Sequence, residues 1–138
     1  MKIVLDTNVI VSALLSPSGV PARILALVLE GILTIVYDNK ILVEYLDVLN
    51  REKLKISKEL INLVIDFINK EGEFRIARPQ TTKFYDEDDR IFYELYKSGG
   101  IDYLVTGNIR HFPHEKGIVT PGKFFEKIPG FYCGNKNL

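Results

Sequence analysis

The sequence predicts an α/β fold in which helices cover a parallel or mostly parallel sheet. Short apolar runs alternate with segments of helical period along the 138 residues, and this alternation is typical of β-α-β units. Chain length and a hydrophobic content of 46% indicate a single domain with a sizeable core. We assign that domain to residues 1–129 and expect residues 130–138 to form a C-terminal tail.

In the first half of the chain, each of two predicted strands is followed by two predicted helices. The strands cover residues 2–5 and 32–37, and the first pair of helices covers residues 8–15 and 21–30. Asp38 and Ser57 stand where N-caps of the next two helices belong, because their side chains accept hydrogen bonds from first-turn amides. Gly72 ends the second of these helices.

The second half of the chain predicts three further strands and two further helices. We expect strands at residues 74–77, 103–106 and 118–119, with a loop over residues 107–117. A helix whose apolar stripe begins at Ile91 ends at Gly99 and Gly100, and Pro121 opens the last helix.

Charge and composition exclude several classes of function. Eighteen basic and eighteen acidic residues give a net charge of zero, so a polyanion must be met by a local basic patch or by bound metal. The single cysteine, Cys133, cannot form an internal disulfide. The N-terminus lacks a signal-peptide pattern, and Glu30 and Gly31 interrupt the most apolar stretch. We therefore expect a cytoplasmic protein that does not enter the membrane.

The polar residues that directly follow predicted strands are the first candidates for a site, since ligands of open α/β sheets bind beyond the carboxyl ends of strands. Asp6, Asp38 and Asn108 occupy such positions. Asp6 lies between two apolar runs, where an ionised carboxylate is costly unless a cation or several donors compensate it. This favours a metal ligand, and the alternative is an Asp that caps the following helix.

Further acids can join Asp6 in one crevice. Glu44 lies beside the edge of the apolar face of its helix, although a solvated glutamate is the commoner explanation of such a position. Four consecutive acids, residues 86–89, open another helix, where only one or two are needed as caps. Their repulsion would be relieved by a divalent cation such as Mg²⁺, which prefers oxygen ligands. Metal ions at such a site can activate water and clamp a phosphodiester.

These residues and their order resemble the PIN domain nucleases, and within them the VapC-like toxins of toxin–antitoxin systems. The resemblance is carried by Val-Leu-Asp-Thr-Asn-Val at 4–9, the Glu44 helix, Asp-Glu-Asp-Asp-Arg-Ile-Phe at 86–92, and the segment 102–113. It implies a three-layer α/β/α sandwich with a central parallel sheet, and cleavage of RNA that depends on Mg²⁺ or Mn²⁺. It also implies a small antitoxin partner.

Carried over residue by residue, the resemblance makes Asp6, Glu44 and Asp89 the catalytic, metal-binding acids, with Asp88 as the substitute for the third. Many relatives have a fourth acid at the position of Asn108. An amide can hold a metal-bound water there but brings no negative charge, so the binding of a second ion stays open.

Other residues are assigned supporting roles. We expect Thr7 and Asn8 to orient Asp6 by hydrogen bonds, and Thr106 to act similarly near Asn108. Contacts to RNA are expected from three further side chains, namely Tyr85, Arg110 and His111. The first two helices and the helix over residues 60–68 are apolar enough to leave exposed surface on a monomer, which predicts a homodimer.

The leading hypothesis is a ribonuclease, the toxin of a toxin–antitoxin pair. Two alternatives stay open: a phosphohydrolase that uses the same acids on small phosphate esters, and a catalytically silent RNA-binding module.

Overall fold

Five parallel strands form the middle layer of a three-layer α/β/α sandwich. In the computed structural model, which describes residues 1–128, the strands follow the order β3-β2-β1-β4-β5 and every neighbouring pair is parallel. The strands are β1 (Lys2–Leu5), β2 (Thr34–Tyr37), β3 (Glu73–Phe74), β4 (Tyr103–Val105) and β5 (Ile118–Val119). The predicted fold class is confirmed.

Within the described residues, six helices flank the sheet: α1 (Thr7–Leu15), α2 (Val20–Leu29), α3 (Asn39–Leu49), α4 (Lys58–Glu71), α5 (Arg90–Tyr96) and α6 (Pro121–Lys127). Helices α1, α2 and α6 pack as one group, and α3 packs against α4 and α5. Helices α5 and α6 both contact β4, while α4 contacts β2. Both groups therefore bury their apolar stripes against the sheet or against each other.

Strand β1 is the centre of the hydrophobic core. Ile3, Val4 and Leu5 are each 0% exposed, because β1 has a strand on both sides and helices above and below. A strand buried on both faces reads as a continuous apolar run rather than an alternating one. This accounts for the unbroken Ile-Val-Leu sequence before Asp6.

The strand order places a topological switch point between β1 and β4. After β1 the chain moves outward through β2 and β3, and it then returns to pair β4 with the other side of β1, in the register Leu5 opposite Val105. Helices that leave in opposite directions open a crevice at such a point. Asp6 and Thr106, the next residues along the chain, therefore lie at its mouth.

Both predicted caps are confirmed. The carboxylate of Asp38 accepts a hydrogen bond from the Ile41 amide at 2.8 Å, and the Ser57 hydroxyl accepts one from the Leu60 amide at 3.2 Å. Asp38 is buried, and this hydrogen bond explains why a polar residue occupies a buried position. Although it follows β2, Asp38 is thus a structural residue at the start of α3.

The prediction of a strand over residues 74–77 is wrong in its extent, because β3 comprises only Glu73–Phe74. The Arg75 amide still donates to the Tyr37 carbonyl, but the Arg78 amide donates to the Glu94 carbonyl of α5. The chain thus leaves the sheet and runs along α5. Strand β2 also begins two residues later than predicted, since residues 32 and 33 form the turn that closes α2.

The tail predicted at residues 130–138 lies outside the described residues. Within residues 1–128, no single helix is long and apolar enough to cross a membrane; α1 and α2 pass that test only as a pair bent by 101°.

Candidate metal centre at the carboxyl end of the sheet

Asp6 and Thr106 meet at the carboxyl ends of β1 and β4. The Thr106 hydroxyl donates to Asp6 Oδ2 at 2.7 Å, and the Asp6 amide donates to the Val105 carbonyl at 2.9 Å. Asp6 is 4% exposed and Thr106 is 0% exposed. The parallel ladder therefore fixes both backbones, and the buried hydroxyl fixes one oxygen of the carboxylate.

Asn8 links Asp6 to the loop that follows β4. Its Nδ2 donates to Asp6 Oδ2 at 3.3 Å, and its Oδ1 accepts from the Gly107 amide at 3.0 Å. A side chain at position 107 would crowd this contact, because a Cβ there would lie 3.2 Å from Asn8 Oδ1. Asn8 and Thr106 thus hold the same oxygen of Asp6 from two directions.

The side chain of Thr7 does not make the hydrogen bond to Asp6 that was predicted for it. Its side chain is buried, yet its hydroxyl has no hydrogen-bond partner within residues 1–128, and therefore does not orient Asp6. The effect of Thr7 on the acid comes instead from its backbone amide, which lowers the pKa of Asp6.

Asn108 is exposed, three residues after the end of β4, at the same end of the sheet as Asp6. Its backbone amide donates to the Thr106 hydroxyl at 2.9 Å, so one hydroxyl contacts both Asp6 and Asn108. Asp102, by contrast, accepts from the Lys2 amide at the amino ends of the same strands. Asp102 is thus at the wrong end of the sheet to replace the acid that Asn108 lacks.

Glu44 projects from α3 into an open groove of about 450 Å³ between α3 and the start of α5. Asp88 lines the same groove, together with Glu87, Val43 and Ile91. The neighbouring residue Tyr45 faces the core, 0% exposed, and its hydroxyl donates to the Leu5 carbonyl. One turn of α3 therefore supplies a core anchor and an acid that borders the groove.

The four acids at 86–89 divide into different roles. Asp86 caps the 3-10 turn Glu87–Asp89 by accepting from the Asp88 amide, and Glu87 pairs with Arg90. Asp88 stays exposed toward the groove, while Asp89 is only 8% exposed. The cap and the ion pair account for two of the acids, and Asp88 and Asp89 stay as the candidates for binding a cation.

Asp89 has a partner that the sequence did not indicate. His111 Nδ1 lies 3.1 Å from Asp89 Oδ2, in hydrogen-bond contact. The histidine comes from the 3-10 turn Ile109–His111 after β4, 22 residues away. Sequence spacing gives no signal for such a pair. His111 was predicted as an RNA contact, and the structure places its ring edge on the acid.

Electrostatic repulsion connects these acids. Burial raises the pKa of Asp6 from 3.8 to about 6; the Thr106 hydrogen bond opposes this rise, and the negative charge of Asp89 adds to it. Desolvation disfavours the charged form of a carboxylate, and a nearby like charge disfavours it further. Asp6 and Asp89 therefore come from distant parts of the chain to within electrostatic reach of each other.

Glu44 and Asp89 are perturbed in the same direction. Burial raises the pKa of Glu44, and the charges of Asp88, Asp47 and Asp6 raise it further. Burial also raises the pKa of Asp89, while the hydrogen bond with His111 opposes the rise. An excess of negative charge in one region is the condition under which a cation binds best.

The chemistry of these donors fits a hard divalent cation, because carboxylate and amide oxygens are the ligands that Mg²⁺ and Mn²⁺ prefer. Within residues 1–128, no three His, Cys, Asp or Glu side chains stand close enough together to hold an ion as they are placed. Mg²⁺ keeps several waters and binds few carboxylates directly. The acids therefore need to supply only one or two direct ligands, and water completes the shell.

Among the predicted RNA contacts, Tyr85 and Arg110 are both exposed. The Tyr85 side chain is 89% exposed, and its ring lies 5.3 Å from that of His111. Sequence reasoning missed the role of Tyr45, because its place in an apolar stripe predicts packing but says nothing about the partner of its hydroxyl.

Comparison with known proteins adds two findings. The sequence model described as PIN domain matches residues 2–110, a range that holds every candidate metal ligand. An uncharacterized protein of Methanocaldococcus jannaschii is 31% identical over 108 residues, which are 78% of this chain and 52% of that protein. The chain thus spans about half the length of this curated relative. No solved structure matches the chain significantly.

Proposed function

This chain belongs to the PIN domain family, whose members are generally nucleases and typically bind divalent metals, and from that premise we propose that it is a metal-dependent ribonuclease. The observation that carries the proposal is the buried carboxylate of Asp6, whose pKa of about 6 reflects burial and the nearby charge of Asp89. A cation at this position offsets both costs.

We assign the ligands by burial and position. Asp6 and Asp89 are the inner acids, since both are buried and the charge of one raises the pKa of the other. Glu44 and Asp88 border the groove and act on the solvent side, and Asn108 orients a water by its amide. A bound Mg²⁺ or Mn²⁺ would lower the pKa of water and neutralise the phosphate.

The other residues keep the acids in place. Thr106 and Asn8 hold Oδ2 of Asp6, and we therefore assign the binding of a cation to its Oδ1. His111 holds Oδ2 of Asp89 in the same manner. Such supporting hydrogen bonds fix the orientation of ligands and typically contribute about 10- to 100-fold to metal affinity or activity. The RNA backbone then enters along the open groove between α3 and α5.

The proposal is tested by incubating the purified protein with single-stranded and structured RNA at increasing Mn²⁺, with and without EDTA. We expect cleavage that requires the metal and is lost in Asp6→Asn. Asp66→Asn, which alters an exposed acid on α4, is the matched control and should cleave like the unaltered protein. Cleavage in EDTA, or full activity of Asp6→Asn, would contradict the mechanism.

Two further assays of the same protein, phosphomonoester turnover and RNA binding, separate the alternatives. Turnover of a chromogenic phosphomonoester without cleavage of RNA would favour a phosphohydrolase that acts on small phosphate esters. Binding of RNA without metal, and without cleavage under any cation, would favour a silent RNA-binding module. The amide at Asn108, where the resemblance to PIN domain nucleases leads us to expect an acid, is the feature that keeps the silent module in consideration.

We also propose that the chain is a toxin held in check by a small antitoxin, a role that rests on the resemblance to VapC-like proteins. Induced expression should arrest growth of a bacterial host, and Asp6→Asn should not.

The expected homodimer would use apolar residues such as Leu60 and Leu63, which are 37% and 58% exposed on α4. Light scattering of the purified protein distinguishes a monomer from a dimer.

A further inference from the structure

Tyr85 is the most exposed large hydrophobic residue among those described, at 89%, and the packing of the fold does not account for it. Aromatic rings contribute most to stability when they are buried, so a ring held in solvent contributes little to folding. Tyr85 also directly precedes the acids at 86–89. Its exposure therefore occurs at the rim of the candidate metal centre.

The backbone on both sides of Tyr85 is anchored. The ring of Phe84 packs against those of Tyr93 and Phe112, with centroids 5.4 and 5.9 Å apart. On the other side, Asp86 caps the following 3-10 turn. The Arg90 guanidinium also donates to the carbonyls of residues 80 and 82. Tyr85 is thus presented in a defined position, with its two chain neighbours held by packing and by a cap.

His111 supports Tyr85 from the side of the metal centre. The two rings lie 5.3 Å apart at 44°, which leaves no space for a third ring between them. His111 in turn contacts Asp89 through Nδ1 at 3.1 Å. Consecutive contacts therefore connect the exposed ring to a candidate metal ligand, and the face of Tyr85 that points away from His111 stays open to solvent.

We propose that Tyr85, supported by His111, is a stacking platform for one unpaired nucleobase of the RNA, in a nucleotide next to the scissile phosphate. The inference rests on the proposed ribonuclease function. Every base has an apolar face that stacks on aromatic side chains irrespective of its identity. In a double helix both faces are covered by neighbouring base pairs, so the platform favours single-stranded sites.

The test measures binding of a single-stranded oligoribonucleotide that carries one 2-aminopurine, whose fluorescence is quenched when it stacks. Ca²⁺ replaces Mn²⁺ so that binding is measured without turnover. Tyr85→Phe keeps the ring, while Tyr85→Leu keeps an apolar side chain without the ring. Ile76→Ala, which shortens an 81% exposed side chain in the same connection between β3 and α5, is the matched control. Circular dichroism verifies that each variant is folded.

We expect Tyr85→Phe and Ile76→Ala to bind and quench like the unaltered protein, and Tyr85→Leu to bind about tenfold more weakly with no quenching, a size typical of one aromatic stacking contact. The same oligonucleotide annealed to its complement should be insensitive to all three changes. Equal binding by Tyr85→Leu would overturn the platform. An equal loss in Tyr85→Phe would also overturn it, because the hydroxyl would then be the contact.

Cleavage with Mn²⁺ is measured separately with the same variants, so that the two proposals can fail independently. Quenching that depends on the Tyr85 ring, without any cleavage, would leave the platform and reject the ribonuclease. Cleavage of single-stranded RNA at an unchanged kcat/KM in Tyr85→Leu would leave the ribonuclease and reject the platform. Absence of both binding and cleavage in the unaltered protein would reject both.

Discussion

The hydroxyl of Thr106 donates to Asp6 Oδ2 at 2.7 Å and accepts from the Asn108 amide at 2.9 Å. One buried side chain therefore orients the acid that follows β1 and the backbone of Asn108 after β4. Since the three residues follow the carboxyl ends of two neighbouring strands, the hydroxyl couples the two sides of the crevice.

Thr106→Val should lower metal-dependent cleavage about 10- to 100-fold, which is typical of the loss of a supporting hydrogen bond to a metal ligand. The valine has the same shape but cannot donate to Asp6, so the pKa of Asp6 rises further and its orientation is lost. Cleavage rates across a Mn²⁺ titration measure the effect. Thr106→Ser, which keeps the hydroxyl, should retain most activity, and an equal loss in both variants would contradict this role.

Asp6→Asn should stabilise the protein at neutral pH in EDTA while abolishing activity. The folded-state pKa of Asp6 is about 6 and the ordinary value is 3.8, so the folded state holds the proton more tightly than the unfolded state. The stability that this supplies is complete below pH 3.8 and is lost as the pH rises through 6. The difference between the two pKa values corresponds to about 3 kcal/mol of folding stability. The unaltered protein loses this stability as the pH rises, whereas Asp6→Asn does not, because an amide does not ionise.

Urea denaturation at pH 4, 5, 6 and 7 in EDTA measures this difference. The free energy of unfolding of the unaltered protein should fall relative to that of Asp6→Asn between pH 4 and 6 and then stay level. Saturating Mn²⁺ should restore the free energy of unfolding of the unaltered protein and leave that of the variant unchanged. Parallel pH profiles for the two proteins would show that Asp6 carries no uncompensated charge.

The sequence predicts most of the fold because its signals are local. Asp38 and Ser57 cap helices as expected, and the apolar run before Asp6 marks the central strand. The extent of β3 was not predictable, since no Gly, Pro, Asn or Asp marks an end of the strand within residues 75–77, and only contact with α5 draws the chain away from the sheet. Tertiary contacts override local propensity there.

The site is less accessible to sequence reasoning than the fold. Position after a strand singles out Asp6 and Asn108, but the partner of a side chain depends on distant elements. His111 contacts Asp89 across 22 residues, and the hydroxyl of Thr7 turns into the protein instead of orienting its neighbour. Motifs therefore identify which residue types gather at the crevice, whereas the hydrogen bonds that hold each of them depend on the folded structure.

Glu44→Gln should reduce cleavage by more than about a hundredfold, since residues that only support a ligand already account for about 10- to 100-fold. Asp47→Asn is the matched control: Asp47 lies one turn further along α3, with a side chain 67% exposed, and pairs with Arg51. Initial rates at saturating Mn²⁺ compare the two. Equal rates for Glu44→Gln and Asp47→Asn would place Glu44 outside the metal centre.

Asn108→Asp should lower the Mn²⁺ concentration for half-maximal cleavage by about tenfold, equivalent to about 1.4 kcal/mol. The substitution adds a negative charge at the end of the sheet where Asp6 lies, and a divalent cation gains from each added carboxylate. Isothermal titration calorimetry with Mn²⁺ gives affinity and stoichiometry together. Unchanged affinity and stoichiometry would mean that position 108 does not face the ion.

Arg90→Lys should loosen the segment that carries Tyr85. The guanidinium donates at 2.7 Å to the carbonyls of Gln80 and Thr82 and also contacts Glu87, a set of bonds that an ammonium group cannot reproduce. Amide hydrogen exchange in residues 80–86 should accelerate about tenfold or more. Arg51→Lys, at an exposed ion pair, is the control and should leave exchange there unchanged.

The hydroxyl of Tyr45 joins α3 to β1 beside two acids, since Glu44 precedes Tyr45 and Asp6 follows Leu5. The hydrogen bond of the Tyr45 side chain thus fixes the position of the Glu44 helix relative to the strand that precedes Asp6. Drift of the helix along the sheet would move the two charges apart together with this bond. A tyrosine in the core therefore keeps the spacing on which the proposed binding of an ion would depend, although its own side chain is buried away from that site.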